Sequence, residues 1–351
     1  MSDFETLIGL ASQYSPSGQE RGAVEWLVAR MQSLRYDQAF VDEAGNAVGV
    51  MGSGPKQVVL LGHIDTVPGE ISVRRDGIPP DEALYGRGTV DAKGPLACFT
   101  DAVAQVGAVE GWQFVVIGAV EEERDSDGAR HVVTRYKPDY AVIGEPNRWD
   151  RVALGYKGSA WASVTIRRGQ AHTASGAQTA CEAAVDVWRA IQSLADTFNE
   201  GKQRVFDKLI PTLRGMDSGQ DGFEQWACLH IGVRLPLEIR PDDWYEKLIG
   251  IVEDAEVARL GSAVPAWAGG KDTPLVRVFL SGIRSQGGEP RFVYKTGTAD
   301  LNIVAPVWGC PALVYGPGDS SLDHTPDEHI RLGDYEKSVQ VLHNALRGLA
   351  K

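Results

Sequence analysis

The chain has 351 residues, more than one hydrophobic core usually organises, so two domains are expected. Its formal net charge of −12 excludes nucleic acid as the main partner, because phosphate binding needs a basic face. Four scattered cysteines, Cys98, Cys181, Cys228 and Cys310, form no CxxC pair; this argues against a zinc ribbon or disulfide framework and for buried thiols in a reducing compartment.

In chain order, the opening Met1-Ser2-Asp3-Phe4-Glu5 has no basic or apolar signal-like stretch. No apolar run anywhere approaches the ~18 residues a membrane helix requires, so a soluble cytoplasmic protein without a membrane partner is expected. Ser17-Gly18-Gln19-Glu20 matches a capping box, and Val24, Leu27, Val28, Met31 and Leu34 follow at helical spacing. Strand-like runs occupy 47–51 and 57–61. A helix is predicted from Gly94-Pro95 to about Val106, since proline suits a first helical turn. Strand and helix then alternate to Glu145, the βαβ signature of an α/β fold with a parallel sheet.

The pattern changes after Gly155-Tyr156-Lys157-Gly158. Trp161–Ile166 reads as a strand, and Ala180, Ala183, Ala184, Val187, Ile191 and Leu194 mark a helix. Residues 226–235 alternate, with Ala227, Leu229, Ile231, Val233 and Leu235 on one face, as in a sheet with one wet side. Pro241 opens a further helix through Trp244, Leu248, Ile251 and Val252. Residues 157–270 are therefore expected to form a smaller α+β domain inserted into a discontinuous one made of 1–156 and 271–351.

Imidazoles and carboxylates recur at the ends of the apolar runs. Val58–Gly62 leads into His63 and Asp65, Phe114–Ile117 into Glu122 and Glu123, Tyr140–Gly144 into Glu145, and Ala312–Tyr315 opens the loop carrying His324. Asp91 stands apart, just before the predicted helix. In open parallel sheets ligands bind beyond the carboxyl ends of the strands, so residues distant in sequence converge at one rim. These side chains are the donors that divalent metals prefer. His-x-Asp also suits an imidazole whose second nitrogen donates to a supporting carboxylate. Within Glu122-Glu123, neighbouring side chains can point apart, so that one binds metal and the other handles a proton. Gly88 to Lys93-Gly94 only superficially matches a phosphate loop, because no Gly-Lys-Ser/Thr is present.

The segments GHIDTVPG at 62–69, YGRGTVDAKGPLA at 85–97, EEERDSDGA at 121–129, IGEP at 143–146 and GPGDSSLDHTPDE at 316–328 together resemble the co-catalytic zinc metallohydrolases. That family includes aminoacylases, glutamate carboxypeptidase, acetylornithine deacetylase and succinyl-diaminopimelate desuccinylase, and the match follows its order across nearly the whole chain. The resemblance implies a zinc-exopeptidase-like fold, a mixed and mainly parallel sheet flanked by helices, with an inserted domain for lid and dimerisation. It implies two Zn²⁺ (with Co²⁺ able to substitute) bridged by Asp91, with Glu123 and His324 completing one site and His63 and Glu145 the other. Ser126 and Gly128 set the register that makes Glu122 the general base and Glu123 the ligand, with Asp65 supporting His63. Such a metal pair acidifies a shared water and stabilises the tetrahedral oxyanion.

The resemblance also implies that His172, in Gly169-Gln170-Ala171-His172, polarises the scissile carbonyl from a homodimer partner. Arg234 would bind a substrate carboxylate, with Arg240 as a nearby competitor; Gly232 departs from the family's frequent aspartate there. Ala92 likewise replaces the usual methionine after the bridging aspartate, whose following bond the family holds cis. Lys295–Asn302, KTGTADLN, matches the family's substrate loop and supplies Thr298, Asp300 and Asn302. This stretch and IGVRLP at 231–236 are closest to members that release lysine, or ornithine, from a small acidic amino-group carrier protein. Deacetylation of N-acetylornithine and desuccinylation of a diaminopimelate precursor are the alternatives within the family. A catalytically inert amino-acid or metal-binding module is the alternative outside enzymes, and the presence of Glu122 argues against it. Arg167, Arg168, Lys202, Arg204, Lys208 and Arg214 are the basic residues available to meet an acidic carrier; Asp300, Glu121 and Asp125 are the acids available to a lysine side chain.

Overall fold

A computed structural model describes residues 4–252 and 254–351. Contacts divide the chain into two compact units. The larger comprises the chain up to Gly155, Gly269–Tyr294 and Ala299–Lys351; the smaller comprises Tyr156–Ala268 and Lys295–Thr298.

The larger unit is built on a mixed sheet. Seven of its strands lie in the order Gln38–Val41, Ala47–Met51, Trp112–Ala119, Lys56–His63, Tyr140–Gly144, Ala312–Val314 and Arg151–Tyr156. The four strands in the middle, from Trp112–Ala119 to Ala312–Val314, run parallel. Their sequences explain the position. Val58–Leu61 and Phe114–Ile117 are wholly buried, as strands covered on both faces must be. Helices supply the cover: Lys93–Val106 packs on Leu332–Leu349 and Glu5–Ala11, Pro274–Ser285 on Leu332–Leu349, and Asp127–Arg135 on Leu301–Trp308. Because the middle strands are parallel, their carboxyl ends open on one rim, where His63 ends one strand and Glu145 follows another.

The Ser17–Glu20 capping box does not form. The helix begins at Arg21, and Glu20 at its N-cap makes no side-chain cap bond. Ser17 instead donates its hydroxyl to Asp65 Oδ2 at 2.7 Å, while Glu20 Oε1 accepts the Gly18 N–H at 2.8 Å. A buried carboxylate is a stronger acceptor than a helix end is a donor, and it draws the serine away. The same pattern at Thr179–Glu182 does make a reciprocal capping box on the helix Ala180–Asn199.

The smaller unit is a four-stranded antiparallel sheet in the order Ile210–Gln220, Glu224–Leu235, Gly158–Gly169, Ala255–Val264. Register pairs the apolar positions, with Ala227 opposite Ile166, Leu229 opposite Val164 and Ile231 opposite Ala162. That face forms a core with residues of the helices Ala180–Asn199 and Pro241–Ile251. Lys157 is fully buried here, and its ammonium donates to the carbonyls of Phe206 and Lys208.

No described helix is long and apolar enough to cross a membrane. Leu60, paired between Val116 and Val142 in the middle of the parallel strands, is completely buried. Leu60→Ala should cost about 2–5 kcal/mol, the range for a cavity in a packed core, read as a lower urea midpoint with an unchanged slope.

Candidate metal centre

The carboxylate of Asp91 is the hub of the rim. His63 Nε2 lies 3.1 Å from its Oδ1, and His324 Nε2 lies 3.1 Å from its Oδ2. His324 Nε2 is also 3.0 Å from Glu123 Oε1. Donor atoms of His63, Asp91 and Glu145 lie within 4.8 Å of one another, as do those of Asp91, Glu123 and His324. Two three-residue groups thus share one aspartate. Geometry alone gives a third group, His63, Glu122 and Glu123, so the role of Glu122 is decided by chemistry rather than by distance. The peptide from Asp91 to Ala92 is cis, and His324 has a left-handed backbone, φ 60°.

Asp65 organises the ground beneath. It is fully buried, and its two oxygens accept the Glu122 N–H at 3.0 Å, the Glu123 N–H at 3.1 Å and the Ser17 hydroxyl. His63 Nδ1 lies 3.0 Å from the Asp65 backbone oxygen and 3.4 Å from Oδ1. With Nδ1 engaged by Asp65, the imidazole is held so that its Nε2 faces Asp91. One carboxylate therefore orients a histidine and fixes the backbone of both glutamates.

Asn46, without a place in the sequence reading, and Gly128, which has one, support the Glu122–Glu123 loop. Asn46, fully buried, accepts the Val120 N–H at 3.0 Å and donates to the Gly128 carbonyl at 3.3 Å. Gly128 is required at that approach: a Cβ would stand 2.4 Å from Asn46 Oδ1 and 2.6 Å from Val120 N. Glu121 and Ser126 take positive φ, 60° and 54°, on either side of the loop. Gly128 stands in the motif at 121–129, whereas Asn46 lies outside every motif and carries no periodic signal.

The donor set fits divalent metal. Burial raises the carboxyls of Glu122 and Glu145 well above the ordinary range, and neighbouring carboxylates add to the effect. Burial also pushes Asp300 up to about 7, and its Oδ1 has no hydrogen-bond partner. Burial opposes ionisation of Asp91 as well, yet hydrogen bonds from His324 and His63 outweigh it and hold that group low. His324 is raised to about 10 by its bonds to Asp91 and Glu123. The protein's own cations thus leave buried carboxyls uncompensated, and divalent metal would supply the missing charge.

The remaining expected residues are distributed over both units. Asn302 is buried, and its Oδ1 accepts the Ala299 N–H at 2.9 Å, tightening its own turn. In the smaller unit, Arg234 donates to Thr298 Oγ1 at 3.4 Å. Burial and the like charge of Arg214 both lower its pKa, and no described carboxylate offsets them. His172 is exposed, and its Nδ1 accepts the Ala174 N–H at 3.1 Å. Lys202 and Arg204 are engaged by Glu238 and Asp207.

Asp65→Asn should leave the fold intact but weaken metal binding about 10–100-fold, because an amide presents one acceptor where two N–H groups and a hydroxyl converge. Competition against a chromophoric chelator measures the affinity, and circular dichroism reports the fold.

The comparisons with known proteins agree with this architecture. The chain is 43% identical over 347 residues to a LysW-lysine hydrolase of Deinococcus radiodurans, covering 95% of this chain and 93% of that one. It is 27% identical over 356 residues to a LysW-lysine/LysW-ornithine hydrolase of Sulfurisphaera tokodaii, covering 98% and 95%. Among solved structures it is similar to an M20 family metallo-carboxypeptidase of Sulfolobus solfataricus, with a TM-score of 0.78, 16% identity and coverage of 100% and 99%. An aminopeptidase PepT of Bacillus cereus has the same TM-score at 17% identity, covering 98% and 97%. At those identities the structures speak for the fold alone. The model of peptidase family M20/M25/M40 matches residues 59–348, a span that holds every residue of the two three-residue groups, and the chain belongs to that family.

Proposed function

We propose that this chain is a metal-dependent amidohydrolase that releases lysine, and ornithine as a second substrate, from the C-terminal glutamate of a small acidic amino-group carrier protein. The observation that carries the chemistry is the pair of three-residue groups sharing Asp91, with Glu122 beside them. The substrate reading is supported by relatives named as LysW-lysine or LysW-lysine/LysW-ornithine hydrolases, which match along nearly the whole chain.

Asp91 would bridge two ions, with His63 and Glu145 on one and Glu123 and His324 on the other. When bound, such a pair acidifies water and stabilises developing negative charge on the scissile carbonyl; we propose zinc, with cobalt as a functional substitute. Glu122 then takes the proton of the attacking water and delivers it to the leaving α-amine. A buried carboxylate raised by its surroundings is matched to that two-way transfer. Arg234, an arginine without a carboxylate partner among the described residues, would bind the α-carboxylate of the departing amino acid. Asp300, with its free buried oxygen, would meet the side-chain ammonium. Thr298 and Asn302 shape that loop, and we propose for His172 the polarisation of the substrate carbonyl. We further propose that the smaller unit carries the dimer surface, its antiparallel sheet having edges that another strand can cover.

Exhaustive chelation should abolish turnover, and Zn²⁺ or Co²⁺ should restore it; full activity in verified metal-free protein would exclude a metal mechanism. Glu122→Gln should retain metal while kcat falls about 10²–10⁴-fold. A Glu123→Gln variant that kept its metal and lost turnover, beside an active Glu122→Gln, would reverse the two roles. The substrate is tested with a panel of carrier-linked lysine, N-acetylornithine and N-succinyl-diaminopimelate. The highest kcat/KM is expected for carrier-linked lysine, and a large preference for either small substrate would overturn that assignment.

A further inference from the structure

Beneath Asp91 lies an ion pair outside the expected ligand set. Glu328 is completely buried and Arg87 nearly so, and Arg87 Nη1 donates to Glu328 Oε2 at 2.7 Å. The other carboxylate oxygen, Oε1, accepts two successive backbone N–H groups, those of Val90 at 2.9 Å and Asp91 at 3.0 Å. The Glu328 backbone oxygen accepts the Gly86 N–H at 3.2 Å. Arg87 in turn donates from Nε to the carbonyl of Gly69 at 2.9 Å.

The local sequence explains how these groups meet. Strand His329–Arg331 pairs antiparallel with Ala83–Tyr85, His329 opposite Tyr85, so Glu328 is delivered beside the turn that follows Tyr85. Gly69, at φ 113°, leaves room for the guanidinium: a Cβ there would stand 3.3 Å from Arg87 Nη2. A carboxylate buried without water is costly unless its oxygens are filled, and here Arg87 fills one and the successive Val90 and Asp91 amides fill the other.

We propose that the Arg87–Glu328 pair is a positioning device that sets the Asp91 carboxylate between its two histidines by tying the three ligand-bearing loops together. Gly69 closes the loop that follows His63, Val90 and Asp91 form the second, and Glu328 is four residues beyond His324 in the third. Two N–H dipoles held on one charged oxygen fix the peptide plane from which the Asp91 side chain departs. The pair touches no reacting atom. Its action is on the geometry of the shared ligand, and it rests on the reading of Asp91 as a metal bridge.

The test compares wild type, Glu328→Gln, Arg87→Lys and the double variant Arg87→Gln/Glu328→Gln in three measurements: Zn²⁺ affinity by chelator competition, the visible spectrum of the Co²⁺ form, and the metal-free unfolding midpoint. Glu328→Gln should bind Zn²⁺ about 10–100-fold more weakly and shift the Co²⁺ spectrum, as loss of a group that orients a ligand does. Arg87→Lys, which keeps the charge but cannot reach both partners, should show a smaller loss. The double variant leaves no unpaired buried charge, so its metal-free midpoint should recover toward wild type while its affinity stays low. Wild-type affinity and an unchanged Co²⁺ spectrum in the double variant would make the pair a plain folding element and overturn the proposal, as would failure of all three variants to fold. If wild type itself bound no Zn²⁺, the metal reading would fall, a result visible without any variant.

Discussion

Asp91 carries one charge on two oxygens, and each oxygen faces a different imidazole at 3.1 Å. The rest of the larger unit can be understood as what is needed to keep that carboxylate there. One histidine ends a parallel strand, the other comes from a loop more than two hundred residues later, and neither would reach Asp91 without the sheet between them. Holding so many carboxyls out of water is unfavourable in itself. The fold gives two of them fixed donors, with Asp65 and Glu328 each accepting from two adjacent backbone amides.

These two residues play matched parts on opposite flanks. Asp65 aligns the amides of Glu122 and Glu123, and Glu328 aligns those of Val90 and Asp91. In both cases a buried anion sets the peptide planes that carry the chemical groups above. Pre-organisation of this kind lets side chains bind or transfer protons without first rearranging, which is where much of an enzyme's advantage over solution lies. Lys93, also fully buried, adds positive charge to this layer, in the field of Glu328 and Asp65.

The legible part of the sequence was the part with strong local physics. Val58–Leu61 and Phe114–Ile117 could only be strands covered on both sides, and the alternation from Ala227 to Leu235 could only face one core. The metal-binding residue types after those runs marked the rim, and the wider set of motifs assigned it. Charged residues whose partners lie far away in sequence were illegible. Arg87, Lys93, Lys157 and Glu328 have the composition of surface and are buried, because what neutralises or satisfies each is supplied by tertiary structure. Ser17-x-x-Glu20 and Thr179-x-x-Glu182 share one pattern and end differently, since only the first has a buried carboxylate within reach. Asn46 gave no signal at all.

The order of the strands has a consequence for how the protein comes into being. Tyr140–Gly144 and Arg151–Tyr156 are consecutive strands, yet they do not pair with each other; Ala312–Val314 lies between them. During synthesis the slot must stay open while more than 150 further residues are made. The turn that carries Glu145 is pinned only when that late segment arrives, through Tyr315 N–H on Ile143 and Asn147 N–H on Gly316. Pairings so distant along the chain form slowly and late. A nascent chain that has passed His63, Asp91 and the two glutamates therefore carries imidazole and carboxylates that are not yet gathered at one rim. The rim is complete only once the segment carrying His324 has been made.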